Sequence, residues 1–230
     1  MLKISKRLEQ VAGMVPKGTR LADVGTDHGY VPLWLLERGL ITSAIGMDVN
    51  KGPLLRAEEN RNKYGFQEMM ELRLSDGLEK LKPGEADTVL AAGMGGPLMI
   101  RILEEGTSVL MDIDTLVLQP QSEIASVRRY LLEHDFRIQE EIMLVDEGKY
   151  YMAMKAVHGI TDGWTETEYL FGKHLLENKH PVLLEYLKKE KALYQSIKTR
   201  LEKESQTHKK RYQEVCIYLD ELDRGLKFYL

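Results

Sequence analysis

A short loop near the amino terminus carries the residue types best suited to chemistry. Its sequence, Leu21-Ala-Asp-Val-Gly-Thr-Asp-His-Gly29, follows a strand-like run and precedes a helix-like segment. Gly25 allows a tight turn at the end of the strand, and Gly29 allows the backbone to approach a ligand closely. A glycine-containing loop between a strand and a helix is typical of proteins that bind nucleoside cofactors.

An acidic residue ends the next strand-like run, where Asp48 lies within Ile45-Gly-Met-Asp-Val-Asn50. Asp48 follows Gly29 by 19 residues, near the spacing of about 20 at which a carboxylate binds the ribose hydroxyls of a nucleoside. The alternative is an ordinary turn with an acidic residue placed there by chance. The succession of strand, loop, helix, strand and carboxylate favours nucleoside binding.

Two features of the loop favour a methyl donor over a dinucleotide. The loop begins with the acidic Asp23, as in the D/E-x-G-x-G-x-G pattern of methyltransferases. It departs from that pattern, and from G-x-G-x-x-G, because Asp27 replaces the middle glycine. A carboxylate there would repel pyrophosphate but attract the sulfonium or ammonium group of S-adenosylmethionine. His28 either orients Asp27 or lies beside the cofactor.

The third strand-like run closes with Leu74-Ser-Asp-Gly77. In the methyltransferase fold, an Asp at this place accepts a hydrogen bond from the adenine amino group, and the backbone of the preceding residue lies beside the ring. Ser75, Asp76 and Gly77 are therefore predicted to bind the cofactor. The other role for Asp76 is to cap the following turn, and the two roles are compatible.

The fourth strand-like run ends in Ala91-Ala-Gly-Met-Gly-Gly-Pro97 and lacks the Asn/Asp-Pro-Pro-aromatic motif common in amino-methylating enzymes. Its glycines would let a base lie against the backbone, although a sharp turn is the alternative. Gly93 is predicted to contact the cofactor, and the base is predicted to contact Met94, Gly95 and Gly96. Tyr30, Tyr150 and Tyr151 are aromatic residues suited to stacking on a base, but a core or rim position is favoured for each.

Five strand candidates alternate with helix candidates over the first two thirds of the chain. The strands are rich in Val, Leu and Ile and span Arg20–Gly25, Ala44–Asp48, Met70–Leu74, Asp87–Ala92 and Asp114–Gln119. Helices are predicted at 3–14, 29–38, 51–64, 97–110 and 122–134. This alternation predicts an α/β fold with a parallel sheet. A hairpin follows at Phe136–Val145 and Lys149–Val157, so the sheet resembles the seven-stranded, Rossmann-like sheet of class I methyltransferases.

The pattern changes at 158–165, where glycines mark a loop. Residues 1–160 are predicted to form the catalytic domain and residues 161–230 an α-helical, coiled-coil-like domain. Two heptad-like stripes support the second prediction: Leu187, Tyr194 and Leu201, and then Tyr212, Val215, Leu219, Leu222 and Leu226. Glu204–Lys209 is either a turn between antiparallel helices or part of one continuous helix.

The charge of the chain is uneven. The net charge is −4, yet residues 188–211 hold nine basic and three acidic residues. From charge alone, a solvated helix face is favoured over a surface for a polyanion such as RNA. The single cysteine, Cys216, excludes an internal disulfide and a cysteine-based zinc cluster, and no metal is predicted. The first ten residues lack the long apolar run of a signal peptide, and no run approaches the length needed to cross a membrane, so a cytoplasmic location is expected.

Together these motifs resemble those of the bacterial tRNA (adenine(22)-N1)-methyltransferase family, over the whole chain. The resemblance is carried by Asp23-Val-Gly-Thr-Asp-His-Gly-Tyr-Val-Pro32, Gly46-Met-Asp48, Ser75-Asp-Gly77, Gly93-Met-Gly-Gly96 and Gln119-Pro120. It implies S-adenosyl-L-methionine as cofactor and N1 of an adenine in the D-loop region of tRNA as methyl acceptor. It also implies that the helical tail helps to hold the tRNA.

The basic residues expected to contact tRNA are Lys188, Lys189, Lys209, Lys210 and Arg211, and the surface is expected to extend to Lys3, Lys6 and Arg7. N1 of neutral adenine attacks without losing a proton and leaves a cationic base, so catalysis would depend on positioning and on stabilising positive charge. Asp27 is the predicted catalytic residue.

Three alternatives remain open at this stage. A small-molecule methyltransferase would use its tail to dimerise, whereas a non-catalytic RNA-binding protein would bind tRNA without turnover. An NAD-linked oxidoreductase is disfavoured by Asp27. A monomer is favoured, although the sequence leaves the oligomeric state open.

Overall fold

The structure is a computed structural model that describes residues 2–203 and 209–230. The chain divides into two compact units, Met1–Thr161 and Asp162–Leu230. Among the described residues, no helix is both long and apolar enough to span a bilayer.

A seven-stranded sheet forms the centre of the first unit. Its strands are β1 (Arg20–Val24), β2 (Ser43–Asp48), β3 (Met70–Leu74), β4 (Thr88–Met94), β5 (Thr115–Pro120), β6 (Phe136–Asp146) and β7 (Lys149–His158). They lie in the order β3-β2-β1-β4-β5-β7-β6. β1 to β5 pair in parallel, and β7 is antiparallel to both β5 and β6. The predicted mixed sheet with a terminal antiparallel hairpin is confirmed.

Six helices accompany this sheet: α1 (Lys6–Gly13), α2 (Tyr30–Glu37), α3 (Lys51–Tyr64), α4 (Gly96–Glu105), α5 (Thr107–Leu110) and α6 (Ile124–Glu133). The single helix predicted at 97–110 is wrong, because it is interrupted at Gly106. A side chain at Gly106 would collide with Leu78 and with the Ile102 carbonyl group. Tight packing against Leu78 therefore marks the point where α4 stops and α5 starts.

Buried apolar side chains from the sheet and helices form the core of the first unit. Leu21, Leu90 and Leu116 on the central strands are at most 1% exposed. Because the Arg128 and Glu141 side chains are both fully buried, their 2.7 Å ion pair links α6 to β6 inside that core. The parallel strands thus form a rigid base whose carboxyl ends share one edge, where ligands bind in open α/β sheets.

The second unit is helical, with α7 (Glu166–Phe171), α8 (Lys173–Glu177), α9 (Pro181–Lys203) and α10 (Lys209–Lys227). A capping box at Thr165 starts α7. From the predicted seam, Leu187, Val215 and Leu222 are fully buried, whereas Tyr194, Leu201, Tyr212 and Leu226 are half-buried. Of the segment Glu204–Lys209, residues 204–208 lie outside the described residues, and Lys209 is the first residue of α10.

Candidate active site

The loop that joins β1 to α2 bends sharply at the carboxyl edge of the sheet. The backbone N–H groups of Gly25 and Thr26 both donate to the Met47 carbonyl on β2, at 2.8 and 2.9 Å. Gly25, Asp27 and Gly29 have φ values of +73°, +49° and +70°. Glycine adopts this left-handed region freely, and Asp does so more readily than most residues. Asp27 therefore occupies the place of a glycine without leaving the backbone conformation that the turn needs.

A cleft of about 240 Å³ lies beside this loop. The predicted residues that line it are Asp23, Gly25, Asp27, His28, Tyr30 and Gly93. Six further residues line it although sequence reasoning assigned none of them to the catalytic site: Arg7, Leu8, Thr26, Val31, Ala92 and Gln121. Thr26 and Val31 could have been found as neighbours of the glycine-containing loop. Arg7 and Leu8 precede β1 and have no local signal, because only the folded chain brings α1 to the cleft.

The Asp23 carboxyl group is buried in the wall of the cleft. Its side chain accepts a 2.6 Å hydrogen bond from the Thr26 hydroxyl group, and the residue is 5% exposed. Burial raises the pKa of Asp23 to about 6; the nearby Asp48 charge adds to that rise and the Thr26 hydrogen bond opposes it. A cationic ligand in the cleft would favour the ionised carboxylate.

Asp48 ends β2, and its two carboxylate oxygens contact different backbone groups. Oδ1 accepts a hydrogen bond from the Asn50 N–H at 2.8 Å, and Oδ2 accepts a hydrogen bond from the Asp27 N–H at 3.4 Å. A carboxylate has about four acceptor sites, so capacity remains for ribose hydroxyls. Asp48 thereby also stabilises the loop that carries Asp27.

Arg56 on α3 contacts both polar side chains of the loop. Its Nη2 lies 3.4 Å from Asp27 Oδ1, and its Nε donates to His28 Nε2 at 3.2 Å. The His28 ring stacks on Tyr30 with a 5.1 Å centroid distance and an interplanar angle of 2°. His28 Nε2 also lies 3.6 Å from Asp27 Oδ1. Sequence reasoning missed Arg56, which is separated from the loop by a whole strand.

The predicted adenine-binding residues after β3 do not line this cleft. The buried Ser75 hydroxyl donates to the Gly77 carbonyl at 3.0 Å and accepts from the Lys80 N–H at 3.1 Å, so it organises the turn. The exposed Asp76 carboxylate pairs with Arg101 at 2.8 Å, and this contact lowers its pKa. An adenine amino group would therefore share the Asp76 carboxylate with Arg101.

The glycine-rich end of β4 contributes Ala92 and Gly93 to the cleft. Gly93 has φ +83° and lines the cleft, whereas Met94, Gly95 and Gly96 do not. A Cβ atom on Gly96 would lie 2.5 Å from the Ser122 carbonyl oxygen. Gly96 is therefore explained by close packing of α4, whereas Met94 approaches the cleft through its Cε atom, 3.3 Å from the position of a Cβ atom on Gly25.

The predicted tRNA-contacting residues lie in the second unit and are exposed: Lys188, Lys189, Lys209, Lys210 and Arg211. Lys188 and Lys189 belong to α9, and the other three form the first turn of α10. Arg211 Nη1 contacts Glu214 at 3.2 Å. Over residues 2–203 and 209–230, no group of three or more His, Cys, Asp or Glu side chains is arranged so that it could bind a metal ion.

Comparisons with known proteins agree with this architecture. The family described as "Methyltransferase domain" matches residues 4–154. A tRNA (adenine(22)-N(1))-methyltransferase from Bacillus subtilis (strain 168) is 35% identical over 201 residues, which cover 85% of this chain and 84% of that protein. The crystal structure of the B. subtilis m1A22 tRNA methyltransferase TrmK has a TM-score of 0.90 and 32% identity, covering 98% of this chain and 99% of that one. TrmK of M. capricolum in complex with S-adenosyl-homocysteine has a TM-score of 0.87 and 25% identity, with 98% of each chain covered. The sheet is thus the Rossmann-like sheet of a methyltransferase.

Proposed function

Because the chain belongs to the family of tRNA (adenine(22)-N1)-methyltransferases, we propose that it transfers a methyl group from S-adenosyl-L-methionine to N1 of adenine 22 in tRNA. One observation carries the proposal within this chain. The cleft at the carboxyl edge of β1 and β4 combines carboxylates with glycine backbone. This combination suits a cationic methyl donor and a flat acceptor base.

The residues of the cleft fit S-adenosylmethionine. Gly25 and Gly93 both have positive φ values and leave two walls without side chains, so a ligand can approach the backbone closely. A Cβ atom on Gly25 would lie 3.3 Å from Met94 Cε, which leaves little room for any larger residue. Asp23 and Asp27 offer carboxylates to the ammonium and sulfonium charges.

Asp48 is proposed to bind the ribose hydroxyls, and Asp76 the adenine amino group. The full proposed cofactor-binding set is Asp23, Gly25, His28, Gly29, Asp48, Ser75, Asp76, Gly77 and Gly93. Asp48 lies at the end of β2, and its carboxylate can accept further hydrogen bonds beyond the two from Asp27 and Asn50. Both features support ribose binding by Asp48. The loop packs closely against β3 at Gly29, because a Cβ atom at this position would lie 3.1 Å from Met70 Cε.

When bound, S-adenosylmethionine supplies an electrophilic methyl carbon next to a sulfonium. N1 of a neutral adenine carries a lone pair, so the protein has no proton to remove before the transfer. The base becomes cationic as the bond forms, and the Asp27 carboxylate is proposed to stabilise that charge. Asp27 lines the cleft and is 62% exposed in its side chain, so it is accessible to an incoming base.

N1 lies on the Watson–Crick edge, so the adenine must be unpaired or extruded to reach the cleft. Tyr30 is proposed to receive the base by stacking, because it lines the cleft, is 38% exposed and already lies parallel to His28. Met94, Gly95 and Gly96 remain proposed contacts of the base. Their support is the chain position next to Gly93.

The second unit, residues 161–230, is proposed to bind tRNA through Lys188, Lys189, Lys209, Lys210 and Arg211. Their exposure and their excess of positive charge support a surface for phosphate groups. We further propose that the protein acts as a monomer in the cytoplasm, where a tRNA substrate resides.

Purified protein incubated with radiolabelled S-adenosylmethionine and bacterial tRNA lacking the modification tests the proposal. Nucleoside analysis should find the label in N1-methyladenosine. Label in another nucleoside would retain a tRNA methyltransferase but reject the proposed target atom. Label in small molecules and none in tRNA would favour a small-molecule methyltransferase. Binding of tRNA with no transfer would favour a non-catalytic RNA-binding protein.

A further inference from the structure

Arg7 brings a positive charge into a cleft that otherwise presents carboxylates. Among the described residues that line the cleft, it is the only lysine or arginine, whereas Asp23 and Asp27 are acidic. From the sequence, Arg7 is expected to extend an RNA-binding surface with Lys3 and Lys6. In the structure its guanidinium lies beside Gly93 instead: Nη1 is 3.7 Å from the position of a Cβ atom on that glycine.

The position of the Arg7 guanidinium is determined by contacts from two strands. Nη1 donates to Gln119 Oε1 at 2.6 Å, and Gln119 on β5 is fully buried. The guanidinium also lies over the Tyr151 ring on β7, 5.3 Å from its centroid. In addition, the Arg7 backbone N–H donates to Asp146 Oδ2 at 3.1 Å. The side chain is therefore held in place before any ligand arrives.

The hydrogen bond to Gln119 uses one of the five N–H donors of the guanidinium. Gln119 is neutral, so this bond does not neutralise the positive charge of Arg7, and the cleft wall retains an arginine suited to an oxyanion. Guanidinium groups bind carboxylates with two parallel hydrogen bonds, which add geometric specificity to charge attraction.

We propose that Arg7 binds the α-carboxylate of S-adenosylmethionine, an inference that rests on the proposed function. The methionine part of this molecule carries two positive groups and one carboxylate. Asp23 and Asp27 match the positive groups but would repel the carboxylate. Arg7 complements it, so the cleft presents charges of both signs to a ligand that carries charges of both signs.

The alternative partner for Arg7 is a phosphate group of tRNA. The arrangement disfavours it, because Arg7 is half-buried and bonded to the fully buried Gln119. A phosphate on a large polyanion is contacted most readily by exposed cations such as Lys3 and Lys6. Phosphate binding by Arg7 is nevertheless a distinct outcome of the experiment below.

The experiment compares the affinities of two ligands that differ in one group. Calorimetry without tRNA measures binding of S-adenosylmethionine and of its decarboxylated form, which keeps the sulfonium and the amine. Wild-type protein should prefer the complete molecule. Arg7→Met should weaken its binding by about 10- to 100-fold, the scale of a lost charge-assisted hydrogen bond, and leave the decarboxylated ligand unaffected. Lys17→Met is the matched control, since Lys17 is exposed and does not line the cleft.

Three results would overturn the assignment. Equal weakening of both ligands would make Arg7 a structural residue, and unchanged affinity for both would remove it from the cofactor site. Methylation assays of the same variant at several salt concentrations add the tRNA arm: unchanged cofactor affinity with a raised KM for tRNA and a weaker salt dependence would assign Arg7 to an RNA phosphate. If wild-type protein bound neither ligand, the proposed function itself would fail, which is distinguishable from failure of the Arg7 assignment.

Discussion

The hydroxyl group of Thr26 donates a 2.6 Å hydrogen bond to the buried carboxyl group of Asp23. This single bond does not offset the burial of the carboxyl group, whose pKa rises to about 6. The nearby Asp48 acts in the same direction. Ionisation of Asp23 therefore costs free energy when the cleft holds no ligand, whereas the ionised carboxylate attracts a cation that binds there.

The affinity for S-adenosylmethionine should fall as the pH drops below about 6. A bound cation favours ionised Asp23, so the complex has a lower pKa at this residue than the free protein, and binding between these values releases a proton. Calorimetry in two buffers with different ionisation enthalpies measures that release. Asp23→Asn should lower the affinity at neutral pH and abolish this part of the pH dependence. Proton uptake on binding would contradict the proposed role.

The ligand-free Asp23→Asn variant should be more stable than wild type near pH 8, by about 1–2 kcal/mol. The pKa of Asp23 is raised in the folded state, so the folded protein binds this proton more tightly than the unfolded chain. Stability contributed by the protonated carboxyl group is therefore lost as the pH rises toward and through about 6. Denaturant unfolding at pH 4 and pH 8 should show the gain mainly at pH 8, because the cost of the charge builds up between an unfolded-state pKa of about 4 and the folded-state pKa of about 6. A destabilised variant at both values would indicate that the asparagine disrupts the Thr26 contact.

The main features of the fold were predictable because each depends on local sequence. Five parallel strands and the closing hairpin follow from short apolar runs separated by helix-like segments or a glycine turn. Asp23, Gly25, Asp27 and His28 were predictable as site residues because they adjoin one strand end. Gly93 could be added since parallel strands present their carboxyl ends at one edge.

The remaining features depend on contacts between distant parts of the chain. Arg7 and Gln119 are separated by 112 residues, and neither lies in a motif that points to the other. Arg56 reaches the loop only after α3 folds over β2. The break at Gly106 likewise comes from packing against Leu78, which a helical pattern within 97–110 does not contain.

Asp27→Asn should lower the rate of methyl transfer at least 100-fold, a far larger factor than its effect on the affinity for S-adenosylmethionine. Asparagine tolerates the left-handed backbone at this position, so the substitution removes the charge and keeps the turn. Single-turnover kinetics with saturating tRNA measure the rate, and calorimetry measures the affinity. Asp27→Gly provides a second variant that relieves the backbone constraint. Parallel losses of rate and affinity in both variants would make Asp27 a cofactor ligand.

Reversing the charge of three exposed residues, Lys209, Lys210 and Arg211, should raise the KM for tRNA without changing the affinity for S-adenosylmethionine. Each lost phosphate contact lowers the slope of log affinity against log salt by about 0.9, so the triple variant should lose up to about 3 from this slope. Filter binding at several salt concentrations gives the slope. Reversal at three exposed residues of the first unit, Lys17, Lys63 and Lys82, controls for net charge, and an equal effect there would reject a specific surface on α10. If neither set altered tRNA binding while methylation of small molecules persisted, the tail would have another role, such as pairing two copies of the chain.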